Sequence, residues 1–88
     1  MNIYQKTFFK KVYKKLHDNQ VPEVNKAITA IIENPDIGEM KKGDLAGIQI
    51  HKFDVQNQLY LLAYIVESED LMLLALGVHE NFYDKHKR

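Results

Sequence analysis

The sequence predicts an α+β domain in two layers, an N-terminal helical hairpin packed on an antiparallel β-sheet meander. Two observations carry that prediction. Apolar side chains recur with helical period through the first third of the chain, and three apolar runs of strand length follow in its second half. Between them, Asn34-Pro35, Gly38, Gly43 and Gly47 break the chain into loop and turn.

The elements follow in order. Ile3–Gln5 fits a short edge strand or an irregular turn. A first helix is expected over Thr7–His17: Phe9, Val12, Tyr13 and Leu16 fall at i, i+3, i+4 and i+7, while Lys10, Lys11, Lys14 and Lys15 take the other face. Thr7 is its expected N-cap. Asp18-Asn19-Gln20 reads as a turn. A second helix begins at Pro22, which suits the first helical position because its missing N–H costs nothing there. Val24, Ala27, Ile28, Ile31 and Ile32 form its apolar stripe, and Asn34-Pro35 ends it. Three strands are expected at Ile48–Phe53, Leu59–Val66 and Leu71–Leu76, joined by links of hairpin length at Asp54–Gln58 and Glu67–Asp70. Leu59–Val66 lacks polar alternation, so it should be the central strand, buried on both faces. Gly77 closes the third strand, and Glu80–Lys87 fits a short terminal helix or structured tail.

Composition narrows the class. Eighty-eight residues fit a single domain spanning 1–88. A chain 45% hydrophobic and 27% charged, without low-complexity tracts, is not a disordered segment. With no cysteine there is no disulfide framework, no Cys-based zinc site and no thiol nucleophile, which favours a cytoplasmic address. The longest apolar run, Leu59–Val66, is too short to span a membrane, and the lysine-rich start does not read as a signal peptide. Formal charge sums to zero, yet it is segregated: residues 1–17 carry +5, 18–39 carry −4, 40–52 carry +2, 53–80 carry −5 and 81–88 carry +2. Basic stretches at the start, middle and end could meet as a phosphate-facing surface. Eleven of the twelve basic residues are Lys, and the single Arg is Arg88, so bidentate guanidinium recognition is nearly absent.

The densest polar cluster ending an apolar strand is Gly77-Val78-His79-Glu80-Asn81-Phe82-Tyr83. A rigid strand end can present His79 as a general acid or base and Tyr83 as an orienting or donating group. Lys52 lies near the end of the neighbouring strand, where alternation puts Ile48, Ile50 and Lys52 on one face and Gln49, His51 and Phe53 on the other. Lys52 and His51 therefore do not share a site. His79 and His86 lie seven apart beside Glu80 and Asp84, but no metal-binding fingerprint appears, and neither metal nor cofactor is expected. Lys42-Gly43-Asp44 is too poor in glycine to cradle phosphate, and the lone Ser68 sits in a turn between two acids.

Four stretches taken together resemble the RelE/ParE superfamily of bacterial toxins: Asn34-Pro35-Asp36-Ile37-Gly38, Lys42-Gly43-Asp44-Leu45-Ala46-Gly47, Tyr60-Leu61-Leu62-Ala63-Tyr64 and Gly77-Val78-His79-Glu80-Asn81-Phe82-Tyr83. The resemblance covers nearly the whole chain. It implies the toxin of a type II toxin–antitoxin pair, neutralised by a cognate antitoxin, with a helical hairpin on an antiparallel sheet. Members of the superfamily either cut messenger RNA on the ribosome or poison DNA gyrase. The first activity is the principal expectation, and gyrase inhibition or DNA nicking is the alternative; plasmid stabilisation is a setting such pairs imply. Carried over by position, Lys52 matches a basic catalytic residue of RelE-like toxins. Gly77-Val78-His79 resembles the Gly-x-His end of YafQ-like toxins, where the histidine is the general acid. Tyr83 stands close to a catalytic tyrosine, and Lys41, Lys42, Lys85, Lys87 and Arg88 would contact substrate. The sequence also departs from the pattern. Leu61 stands where the central strand usually has a phosphate-gripping arginine, and Ile50 replaces a lysine. Losing such a contact removes about 2–4 kcal/mol of transition-state stabilisation unless other groups substitute.

Overall fold

The computed structural model describes residues 1–45 and 47–79. The chain runs β1 (Asn2–Gln5), α1 (Thr7–Lys14), α2 (Val21–Glu33), β2 (Glu39–Met40), β3 (Gln49–Val55), β4 (Gln58–Glu67) and β5 (Asp70–Val78), with short 3₁₀ turns at Pro35–Ile37 and Gly43–Leu45. The strands form one sheet in the order β1-β5-β4-β3-β2. From β2 to β5 it is the expected antiparallel meander, with β4 at its centre. The sheet as a whole is mixed, because β1 pairs parallel with β5, Ile3 opposite Leu71. Parallel pairing needs a long connection, and here the chain reaches β5 only after α1, α2, β2, β3 and β4.

Both helices pack on one face of the sheet. Phe9, Val24 and Ile31 meet Tyr60, Leu62, Tyr64, Leu71, Leu73 and Leu76 in the main core, with Val12, Tyr13, Leu16, Ile28 and Ile32 closing around it. Tyr13 donates a 2.7 Å hydrogen bond to Asn25, tying α1 to α2. α1 is shorter than expected, ending at Lys14 rather than His17, although Leu16 still reaches the core. Lys6, not Thr7, holds the N-cap position, and no side chain caps that end. α2 starts one residue earlier than expected, with Pro22 second. β5 runs through Gly77 to Val78, so Gly77 does not end it.

Burial of the central strand is complete only in its middle. Leu61, Leu62, Ala63 and Tyr64 are buried, whereas Leu59 is exposed and Ile65 and Val66 are half-buried. Pairing between β4 and β5 slips at this point: Ala63 faces Ala75 but Tyr64 faces Leu73, leaving Leu74 as a bulge. The bulge turns β5 over by one residue. Leu71 and Leu73 before it, and Leu76 and Val78 after it, all reach the helix-covered core.

Candidate functional site

The other face of the sheet carries no helix among the described residues and has its own small apolar floor. Ile50, Leu61 and Ala63 are buried there, with Ile48, Leu74 and Ala75 packed against them. Residues directly opposite one another on paired strands project to the same side. That rule assembles the face row by row. Glu39 lies opposite Ile50, and Ile50 opposite Ala63; Lys52 lies opposite Leu61, and Leu61 opposite Gly77; Asp54 lies opposite Leu59. His79 follows β5 immediately, two residues beyond Gly77. The bulge at Leu74 brings this register about, because without it Gly77 would fall on the helix side. Lys52 on β3 and the end of β5 that leads into His79 thus share one face, separated by the central strand.

Charged groups gather at the β2 rim of the same face. The Lys41 ammonium donates a 2.9 Å hydrogen bond to the Glu39 carboxylate. That bond, the Lys41 charge and then the Lys52 charge hold the Glu39 carboxyl below its ordinary range, so it is ionised at neutral pH. Two residues of opposite charge at i and i+2 on an extended segment reach each other because both lie on one side of it. Lys42 is exposed in the turn beyond β2 and pairs with no acid among the described residues.

A buried polar knot fixes this rim to the sheet. Tyr64, fully buried, donates to the Pro35 carbonyl at 2.8 Å and accepts from the Gly38 N–H at 2.8 Å. The amide of Gln49, opposite Tyr64 across the β3–β4 ladder, lies 3.0 Å from the Pro35 carbonyl and 3.3 Å from both the Gly38 carbonyl and the Tyr64 hydroxyl. Burial pushes the Tyr64 hydroxyl above its ordinary pKa, against the lowering effect of the Gly38 bond, so it stays a neutral donor. Gly38 is required by contact rather than by backbone angle: a Cβ there would lie 2.5 Å from the Tyr64 hydroxyl oxygen. The Asn34–Gly38 stretch is thereby anchored, and with it the start of β2.

The structure therefore brings Lys52, Lys41 and the β5 end that leads to His79 to one face, and it places His51 on the other. His51 stacks on Phe53, ring centroids 5.6 Å apart, on the helix side, as strand alternation requires. Burial lowers its pKa. Leu61 and Ile50 lie at the middle of the open face, fully and nearly fully buried, so its floor beside Lys52 is apolar. Sequence reading missed Glu39 and Asp54, two carboxylates of the face near Lys52. The Glu39-x-Lys41 spacing was the available signal, but its meaning depends on β2 pairing with β3. Tyr83, Lys85, Lys87, Arg88 and His86, and the expected terminal helix Glu80–Lys87, lie outside the described residues.

Residues 3–87 match the family model described as the ParE-like toxin of type II bacterial toxin–antitoxin systems, and the chain belongs to that family. Among solved structures, the YoeB/ParE toxin from Agrobacterium tumefaciens superposes with a TM-score of 0.74 at 19% identity, covering 90% of this chain and 99% of that one. The isolated E. coli RelE toxin superposes with a TM-score of 0.68 at 20% identity, covering 99% and 96%. The intact E. coli RelBE toxin–antitoxin complex gives 0.68 at 19% identity, covering 86% and 93%. No curated protein sequence matches the chain. At these identities the structural likeness concerns the fold: two helices on a five-stranded mixed sheet. The chain is a type II toxin of the RelE/ParE superfamily. No helix among the described residues is long and apolar enough to cross a membrane.

Proposed function

We propose that this toxin cleaves messenger RNA on the ribosome with the open face of its sheet, and that a cognate antitoxin holds it inactive in the cytoplasm. The observation that carries the reading is the row Lys52–Leu61–Gly77, which sets a cation and the approach to His79 on one face. In the reaction, a ribose 2′-oxygen loses its proton to an acceptor and bonds to the adjacent phosphorus. The bond from phosphorus to the 5′-oxygen breaks, and that oxygen takes a proton, leaving a 2′,3′-cyclic phosphate and a free 5′-hydroxyl. Lys52 stabilises the crowded phosphate, with Lys41 behind it; His79, as the imidazolium, protonates the departing oxygen; Glu39 is the ionised acceptor on the face. Tyr83, Lys42, Lys85, Lys87 and Arg88 complete the proposed set as orienting and substrate-binding groups. A partner antitoxin is supported by the family and by the fold shared with the RelBE complex.

The test is cell-free translation with the purified chain, mapping new 5′ ends with and without ribosomes. Cuts should require ribosomes, and His79→Gln should lower their rate by about 10²–10⁴-fold. Intact messenger with wild-type protein would overturn the reading.

One observation favours a second reading, a gyrase inhibitor. On the open face Glu39, Asp54, Glu67 and Asp70 more than offset Lys41 and Lys52 among the described residues, and the floor at Leu61 and Ile50 is apolar. An apolar face without net positive charge suits a protein surface better than RNA. Under it, Lys52→Gln and His79→Gln keep toxicity and gyrase supercoiling is blocked; nicked plasmid would instead indicate direct action on DNA.

A further inference from the structure

We propose that Tyr64 and Gln49, buried on the helix side of the sheet, are positioning residues for the opposite face: they clamp Gly38 so that the chain presents Glu39 and Lys41 beside Lys52. What that pair does rests on the messenger-cleavage reading above. β2 is two residues long, lies at the sheet edge and pairs with β3. A ladder that short fixes register weakly, and a slip of one residue would bring Met40 to the open face and turn Glu39 toward the helices. Just ahead of it, side chains of the neighbouring strands take both backbone polar groups of Gly38. Its N–H donates to the Tyr64 hydroxyl at 2.8 Å, and its carbonyl accepts from the Gln49 amide at 3.3 Å. The same two side chains meet at the Pro35 carbonyl, at 2.8 and 3.0 Å, so the turn and the strand start are held together. Gly38 is extended, φ −79° and ψ 153°, and is seated against Tyr64 on the helix side. Strand alternation then sends Glu39 to the open face, Met40 back, and Lys41 to the open face again.

Stability alone does not account for the clamp. Gln49 is the one buried polar side chain among the described residues. The hydrogen bonds of a buried amide add less to stability than an apolar side chain of the same size in the same place, so its value lies in where it points. Its donors face the Pro35 and Gly38 carbonyls and the Tyr64 hydroxyl, none of them part of the β3–β4 ladder. What the clamp leads into is the charged pair. Lys41 donates to Glu39 at 2.9 Å, and its side chain is only 23% exposed against 66% for Glu39, so the lysine lies along the face rather than out in solvent. Charged groups facing Glu39 are Lys41 on its own strand and Lys52 on β3, with Asp54 beyond Lys52. β4 and β5 bring Ala63 and Ala75 level with it, which do not titrate, and Asp36 in the preceding turn bears on the Tyr64 hydroxyl. Loosening the clamp should therefore draw Glu39 away from its two lysines.

The experiment follows the Glu39 carboxyl by carbon-13 NMR of the purified full chain through an acid titration, with Glu39→Gln identifying its signal. Tyr64→Phe and Gln49→Leu should each raise the Glu39 pKa toward the ordinary glutamate range, in chains that a cooperative thermal melt shows to be folded. Ile31→Val, which trims the helix-side core without touching the clamp, should leave it unmoved. Lys41→Gln should raise it directly, and that shift should not add to the shift from Tyr64→Phe, because both act on one contact. In cell-free translation the two clamp variants should lower ribosome-dependent cleavage by about 10²-fold at neutral pH. The acid limb of their pH profile should begin at higher pH, since the acceptor works only when ionised. A Glu39 titration unmoved in both clamp variants overturns the proposal. So does an equal shift in Ile31→Val, or full addition of the Lys41→Gln and Tyr64→Phe shifts. Shifted titrations together with messenger that the wild-type protein leaves uncut would fail the nuclease reading alone and leave the clamp standing.

Discussion

On the helix-covered face β4 contributes Tyr60, Leu62 and Tyr64; on the open face the same strand contributes Leu61 and Ala63. Among the described residues, the first face is sealed by ten buried residues, so most of their apolar burial lies there. The second has three among the described residues, and around them stand Lys52, Glu39, Lys41 and Asp54. Along one strand, then, a single residue step separates side chains that hold the fold from side chains that border the proposed chemistry. This separation means that substitutions should sort by parity along β3 and β4, and the sorting can be tested.

The largest effects should come from truncation on the helix side. Leu62 is fully buried among core side chains, and Leu62→Ala should cost about 2–5 kcal/mol in urea unfolding. That is a large share of the roughly 5–15 kcal/mol a domain possesses. Lys52 is exposed on the open face, and Lys52→Gln should stay within about 0.5 kcal/mol of wild type while lowering messenger cleavage by about 10²-fold or more. A Lys52→Gln variant that unfolds as easily as Leu62→Ala would break the comparison.

The Tyr64 knot is where the two faces are joined, because a helix-side tyrosine anchors the segment that leads into Glu39 and Lys41. Tyr64→Phe removes the acceptor for the Gly38 N–H and the donor to Pro35, and should cost about 1–3 kcal/mol. Gly38→Ala should cost a similar amount, about 1–3 kcal/mol, because its Cβ would meet the ring and hydroxyl of a side chain with no room to withdraw. Thermal melts of the two single variants and the double variant should show coupling, since both act on one contact. Additive losses would mean that the knot is not a unit.

Much of this was legible in the sequence, and the exceptions have a common cause. The stripe Val24, Ala27, Ile28, Ile31 and Ile32 marked α2, and the helix covers Val21–Glu33. Alternation in β3 put Lys52 and His51 on opposite faces, as they are. Local pattern did not reveal the parallel pairing of β1 with β5, the two-residue strand β2, or the bulge at Leu74. Each depends on a partner distant in sequence. Glu39 was missed for that reason, since only its pairing with Ile50 brings it onto the face of Lys52. His79 was found as a residue at a strand end, but that Gly77 faces Lys52's side depends on the bulge.

A smaller effect should appear at the β3–β4 hairpin, which belongs to neither face. Gln56 and Asn57 both have positive φ, 49° and 68°, the left-handed pair of a type I′ turn. Asparagine tolerates that conformation and glycine prefers it. Asn57→Gly should stabilise the domain by about 0.5 kcal/mol, read as a higher urea midpoint with unchanged slope, and should leave cleavage untouched. A loss of stability would mean that Asn57 makes a compensating contact.

The smallest effect distinguishes the faces by pH. His51 lies on the helix side, opposite Leu62, and burial lowers its pKa below the usual 6.5. The folded state therefore binds this proton less readily than the unfolded state does. Above pH 6.5 both states are neutral and the contribution of His51 to stability is complete; as pH falls below 6.5 the unfolded chain is protonated first, and stability declines. Melting temperatures between pH 5 and 8 should show this decline, and His51→Phe, which keeps the stack on Phe53, should flatten it. The same variant should cleave messenger as wild type does, because His51 does not reach the open face. Loss of cleavage in His51→Phe at neutral pH, with its melting temperature intact, would show that the two faces are not independent.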